Sequence, residues 1–343
     1  MNQQVNPQMI ILAREARGLT QAELAEKIGM SPTNLSKIER SEIGINTDVI
    51  TAISDTTDFP AHFFLQPGKP VPEHLNYRQR ETVAQKLITP IHAQVNIIRR
   101  HIQFLTAALD VQPPALPAME VTDTCSPAQI ALQLRQQWGV TTPVIENLTA
   151  LLEANGIFVS SFSFGTPRVD SRSILTDDKH PVIFINRDQE GDRQRFSLAY
   201  QLGQLIMHTF VPVHPQRDVG HEANEFAAEF LMPAALIRDD LSAGVTIPIL
   251  GELKRKWKVS MIALLYRADD LGFITPNQKR YLIQQFNKLN IRRREPVELD
   301  IEKEQPALAK QLITDFRTRT KLSTTDMAAL FCINIDEYLD LHY

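Results

Sequence analysis

The sequence predicts a mainly α protein with a small β-sheet (α+β): an all-α N-terminal unit, a mixed α+β domain and a helical C-terminal tail. Three observations predict it. Helix-capping signals and apolar spacing of period 3.6 recur along most of the chain. The two clear β-branched and aromatic runs, "GIFVSSFSF" and "PVIFIN", stand close together near the middle. A length of 343 residues, 43% hydrophobic and 22% charged, suffices for two or three cores.

Residues 6–65 form the first unit. In "GLTQAELAEKIGMSPTNLSKIERS" (Gly18 to Ser41), Thr20 and Glu23 make a capping box that starts a helix. Leu24 and Ile28 share one face, small Ala25 permits close approach, and Gly29 supplies a left-handed turn. Ser31 caps the next helix, with Pro32 at its first position. Leu35 and Ile38 point inward, leaving Thr33, Asn34, Lys37 and Arg40 outside. A recognition helix for the major groove needs this: short polar side chains near its N-terminus and a rigid partner helix. Gln21 is placed to donate to a phosphate.

Charge does not advertise nucleic-acid binding. The whole chain carries −4, and residues 1–65 hold five Lys/Arg against eight Asp/Glu. DNA contact must therefore be local. Residues 66–120 read as a linker plus a basic helical segment. "LQPGKPVPEHLN" (Leu65 to Asn76) suggests a hinge. Arg78, Arg80, Lys86, Arg99 and Arg100 stand against Glu81 alone, a candidate supplement to phosphate contacts.

The mixed domain is expected at 121–290. Ser126 and Pro127 open a helix, the two strands follow, and helices are expected near 192–209, 221–231, 234–242, 248–256 and 260–271. "KRKWK" (Lys254 to Lys258) and "RRR" (Arg292 to Arg294) read as solvated basic faces. The tail, 291–343, ends in "LSTTDMAALFCINIDEYLDLHY", two short helices with Ser323 as one cap and Asn334 or Asp336 as the other. Its acidic exterior favours packing or self-association over DNA contact. Cys125 and Cys332 are the two cysteines, which leaves no disulfide framework and suits a reducing cytoplasm. No signal peptide or membrane-spanning run is read, so a cytoplasmic protein is expected.

Two resemblances refine this. "LTQAELAEKIGMS" and "LSKIER" resemble the Xre/Cro family of phage-repressor DNA-binding domains, which implies operator binding through Gln21, Ser31, Thr33, Asn34, Lys37 and Arg40. "RFSLAYQLGQLIMH" (Arg195 to His208) and "HEANEFAAEFLMP" (His221 to Pro233) resemble the ImmA/IrrE metallopeptidases, a zincin-like fold. The match continues through "WKVSMIALLYRADDLGFIT" (Trp257 to Thr275), and upstream to "VIFIN" and "NYRQR". In that family two His at i and i+4 and a Glu from the next helix hold zinc, and a Glu beside the first His is the general base. Carried over, these positions are Tyr200, Gln204, Gly220 and Gln201. An amide cannot accept a proton as a general base and is a poor zinc ligand.

The resemblance therefore implies a transcriptional regulator with a catalytically inactive, peptidase-like sensor or interaction domain and no cofactor. Its expected partners are operator DNA, a second copy of the chain, and a small-molecule or protein effector in the old cleft. An active metallopeptidase that cleaves a repressor is the alternative, as is the antitoxin of a toxin–antitoxin pair. A relocated metal site would draw on His208, His214 and His221, with Glu222 and Glu225 nearby.

Overall fold

The computed structural model describes residues 5–71, 77–79, 83–211, 213–214 and 216–342. The N-terminal unit consists of α1 (Pro7–Ala16), α2 (Gln21–Lys27), α3 (Pro32–Glu39), α4 (Thr47–Thr57) and a 3-10 turn, Ala61–Leu65. Its local signals act as read. Thr20 and Glu23 close a capping box, Gly29 has φ 66°, and the Ser31 hydroxyl accepts from Asn34 N at 3.3 Å. Leu24, Ala25 and Leu35 form a small core of their own.

A four-stranded sheet in the order β1-β3-β4-β2 organises the rest: β1 Tyr77–Gln79, β2 Phe158–Phe162, β3 Val169–Leu175 and β4 Pro181–Asn186. β4 is buried throughout, so its period-2 alternation feeds two cores. Ile183 and Ile185 face one, and Val182 and Phe184 the other. The first core packs α6 (Pro127–Gln137), α7 (Leu148–Ala154), α8 (Gly191–Gln204), α9 (Val219–Leu231), α10 (Ala234–Ser242), α11 (Ile247–Trp257), α12 (Met261–Asp270) and α13 (Pro276–Lys288). The second joins α5 (Gln85–Ala108), the N-terminal unit and the tail helices α14 (Leu308–Thr320), α15 (Thr324–Phe331) and α16 (Ile335–His342).

The N-terminal unit is thus built into the second core. Phe59, Phe63 and Phe64 are buried there with Ile91, Ile98 and Phe331. Arg17 pairs with Glu337 at 3.0 Å, His62 reaches Ala329 O at 3.0 Å, and Asn334 Nδ2 donates to Asp58 O at 2.8 Å. Asn334, directly before α16, thus braces the first unit. The tail is packing material, with Met327, Phe331 and Tyr338 buried.

Three expectations change. The hinge is tied down, because Arg100 holds the Gln66 side chain and Pro67 O, Arg99 holds Lys69 O, and Asn96 accepts from Val71 N. Residues 72–76 lie outside the described part. The basic segment turns inward: Arg99 is 1% exposed and pairs with Asp177 at 2.8 Å. Lys86 stays exposed, and Arg80 and Glu81 lie outside the described residues. Finally, Lys254 of "KRKWK" is 1% exposed, paired with Asp192 at 2.8 Å and Glu295 at 2.7 Å, because that face of α11 packs on the start of α8.

Candidate functional site

On α3 the buried side is Leu35, Ile38 and Glu39, while Ser31, Thr33, Asn34 and Arg40 are exposed and Lys37 is half-buried. Glu39 locks the two-helix geometry. It receives Arg14 Nε at 2.7 Å and the Gln21 amide, while Arg14 also donates to Leu19 O at 2.8 Å. Gln21 is half-buried with its amide engaged inside the protein, so it positions α2 against α3. Arg40 leans back to Ser36 O and to Glu42, both at 3.3 Å, at an exposed site where such contacts are weak. Lys37 has no ion-pair partner among the described residues.

The second site centres on α8, a polar helix whose residues are nearly all buried. Most of its polar side chains reach a partner from another element. Arg195 donates to Ile145 O and Lys258 O and pairs with Glu304 of the segment before α14. Gly203 permits the close crossing of α9, since a Cβ there would come within 2.9 Å of the Phe226 ring. α8 then ends in a single π-helical turn, Leu205–Thr209.

Of the four positions carried over from the zinc motif, three converge. The Gln204 amide donates to the Tyr200 hydroxyl at 3.3 Å and to Val219 O at 3.1 Å, and a Cβ placed on Gly220 would lie 3.6 Å from that hydroxyl. Gln201 turns the other way: Ser173 Oγ donates to its Oε1 at 2.7 Å, and its Nε2 donates to Ser171 Oγ at 3.0 Å. Burial raises the Tyr200 pKa, which keeps the phenol protonated.

These residues do not fit a zinc ion. The converging groups are a neutral phenol, an amide whose oxygen faces His208 Nδ1, and a glycine, and the remaining amide is bound to β3.

The three histidines are not brought together. His208 Nδ1 faces Gln204 Oε1 at 3.1 Å and its Nε2 faces Glu222 Oε2 at 2.7 Å, while Arg217 Nε donates to the other Glu222 oxygen at 2.7 Å. Two oxygen neighbours suit the doubly protonated ring, whereas burial pushes the His208 pKa below its usual value; Glu222 opposes that push. Burial also pushes the Glu222 carboxyl up, but the bonds from Arg217 and His208 outweigh it and hold it low. His214 is exposed with Nδ1 accepting from Gln216 N, and His221 is exposed at the start of α9. Glu225 accepts from Ala128 N. Among the described residues, no group of three or more His, Cys, Asp or Glu is placed to hold a metal ion.

Sequence reading missed the network beside this site. Asp170 of β3 is fully buried and receives Arg78, Gln189 and Arg193. The "NYRQR" match was the available signal for Arg78; nothing local marks Asp170. A groove of about 840 Å³ opens beside Arg78, Arg193 and Phe196 and runs past His221, Asn224, Tyr266 and Asp270. Among the described residues, no helix is long and apolar enough to cross a membrane.

Comparison with known proteins agrees with both halves. Residues 10–64 match the helix-turn-helix family, and residues 152–269 match the IrrE N-terminal-like domain. The chain is 28% identical over 146 residues to the radiation response metalloprotease IrrE of Deinococcus deserti, covering 39% of this chain and 50% of that protein. It therefore spans about half the length of the curated relative it matches. In one polypeptide, a segment matching the helix-turn-helix family, of the Xre type, is followed by a segment matching the IrrE N-terminal-like domain.

Proposed function

We propose that the protein is a sequence-specific transcriptional regulator whose peptidase-like domain binds an effector or partner and does not hydrolyse peptides. The carrying observation is the open polar face of α3 (Ser31, Thr33, Asn34, Lys37 and Arg40) on a domain anchored in the second core. That face can enter a major groove while the rest of the chain acts as a rigid body behind it. One short helix reads few base pairs, so a homodimer on paired half-sites is part of the proposal.

Tyr200, Gln201 and Gln204 support the absence of hydrolysis, because no carboxylate or free imidazole stands where the general base and ligands belong. A cytoplasmic location follows from the DNA target.

The test is a gel shift on DNA from the protein's own promoter. Wild type should show sequence-preferring binding that weakens with salt. Asn34→Ala is expected to cost about 1–3 kcal/mol and to relax base preference, whereas Lys37→Ala should weaken binding to all sequences if it meets a phosphate. Absence of salt-sensitive, sequence-preferring binding overturns the reading. Stoichiometric zinc that survives mild chelation, or cleavage of a repressor, supports the metallopeptidase alternative. An antitoxin role would appear as tight neutralising binding to the product of an adjacent gene.

A further inference from the structure

A strand of the chain itself closes the sheet edge beside the altered zinc positions. Among the described residues β1 spans Tyr77–Gln79 and pairs antiparallel with β3: Tyr77 with Arg172, Arg78 with Ser171, and Gln79 with Val169 after a register shift. Arg78 anchors it. Arg78 Nη1 donates to Asp170 Oδ2 at 3.1 Å and to Ser197 Oγ at 2.9 Å. Its guanidinium carbon lies 5.0 Å from the Phe196 ring centre and 5.3 Å from that of Tyr200. Without β1, what remains is an open β-edge, a fully buried carboxylate, a hydroxyl and two aromatic faces. That set recognises a guanidinium on an extended backbone: main-chain ladder bonds hold the strand, and the charge-assisted bond and ring stacking choose the side chain. Arg193 also donates to Asp170, so the socket already balances two cations on one carboxylate.

We propose that this socket is the recognition site for an extended, arginine-bearing peptide segment of a partner protein. The segment adds antiparallel to β3 in place of β1, which makes β1 its intramolecular competitor. The groove beside Arg78 and Phe196 gives the segment's flanking residues room, with Glu225 and Asp270 along it available to further basic side chains. The proposal rests on the reading of the peptidase-like domain as an interaction module and names the chemistry of its partner.

The experiment uses the full chain and a fluorescent peptide, Leu-Asn-Tyr-Arg-Gln-Arg-Glu, which copies residues 75–81. Arg78→Ala in the protein weakens the resident strand, so the peptide should bind that variant at least about tenfold more tightly than wild type by fluorescence anisotropy. Adding Asp170→Asn to the variant, or replacing the first arginine of the peptide by alanine, should remove the gain. Equal affinity for wild type and Arg78→Ala, or binding that ignores the peptide arginine, overturns the proposal. If Arg78→Ala does not unfold cooperatively, Arg78→Lys, which keeps the charge but loses the planar fork, is read by the same comparison. Operator binding and the intactness of the peptide by mass spectrometry are followed in parallel. A peptide null with operator binding preserved removes only the socket, whereas cleavage of the peptide removes the non-hydrolytic reading.

Discussion

Lys254→Met should lower the unfolding free energy by about 3–5 kcal/mol at pH 7.5, the range for breaking a buried ion pair from one side. Lys254 lies between Asp192 and Glu295 with all three side chains at 8% exposure or less. Burial alone would depress the Lys254 pKa, but the two carboxylates outweigh it and hold it above its usual value. Removing the ammonium leaves two buried anions facing each other without the charge that lies between them.

The loss should shrink on acidification. Burial already pushes Glu295 above the usual carboxylate range, despite Lys254. Without Lys254 that push meets far less opposition, so the folded variant takes up a proton more readily than the unfolded chain. Stability from that proton is present at low pH and is lost as pH rises. Denaturant titrations at pH 5 and pH 8 check this, with Asp192→Asn added to the variant expected to restore part of the loss. A cost under about 1 kcal/mol would mean that water reaches the triad.

The second large effect is acid sensitivity from buried histidines. His92, beside Arg172 and Asn96, is lowered to about 3 by burial and then by the Arg172 charge. His342 is lowered to about 4 by burial; its Nε2 faces His101 Nδ1 at 3.0 Å, with Phe331 and Tyr338 around it. Both folded values lie below the ordinary 6.5. The unfolded chain therefore binds the extra proton first. Stability is complete above pH 6.5 and declines as pH falls toward the folded values. At pH 5 each histidine should cost on the order of 2 kcal/mol relative to pH 7.5.

His101, buried and lowered for the same reason, adds to the effect through its shared hydrogen bond with His342. Burial raises Glu153, Asp270 and Glu295, and these act in the opposite direction. The clean measurement is therefore a comparison. Urea midpoints of wild type and His342→Gln at pH 5, 6 and 7.5 should show a shallower pH dependence in the variant. Parallel curves would remove His342 as a source.

Legibility in the sequence followed the range of each interaction. The starts of α2, α3, α6 and α15 could be read because a cap and its partner lie three residues apart. β4 could be read because it is apolar on both faces. β3 could not: in "VDSRSIL" the central Asp170, Ser171, Arg172 and Ser173 are polar yet fully buried, held by Arg78, Gln201 and His92 from distant parts of the chain. The same limit explains Lys254, which lies in a basic run but whose face of α11 meets two carboxylates.

The sequence by itself determined which atoms are available. It placed Thr33, Asn34 and Lys37 on the outer side of a capped helix, and it put a phenol, two amides and a glycine where a zinc motif has imidazoles and carboxylates. Donor chemistry is a property of residue type and needs no coordinates. Only the tertiary structure decided where those groups turn. Gln201 is bound to β3, Gln204 links Tyr200 to α9, Arg99 and Arg100 face inward, and Arg78 closes the sheet edge with the chain's own strand. A buried polar group takes whichever partner the fold brings within about 3 Å, and in these cases that partner lies 15 to 92 residues away in the chain.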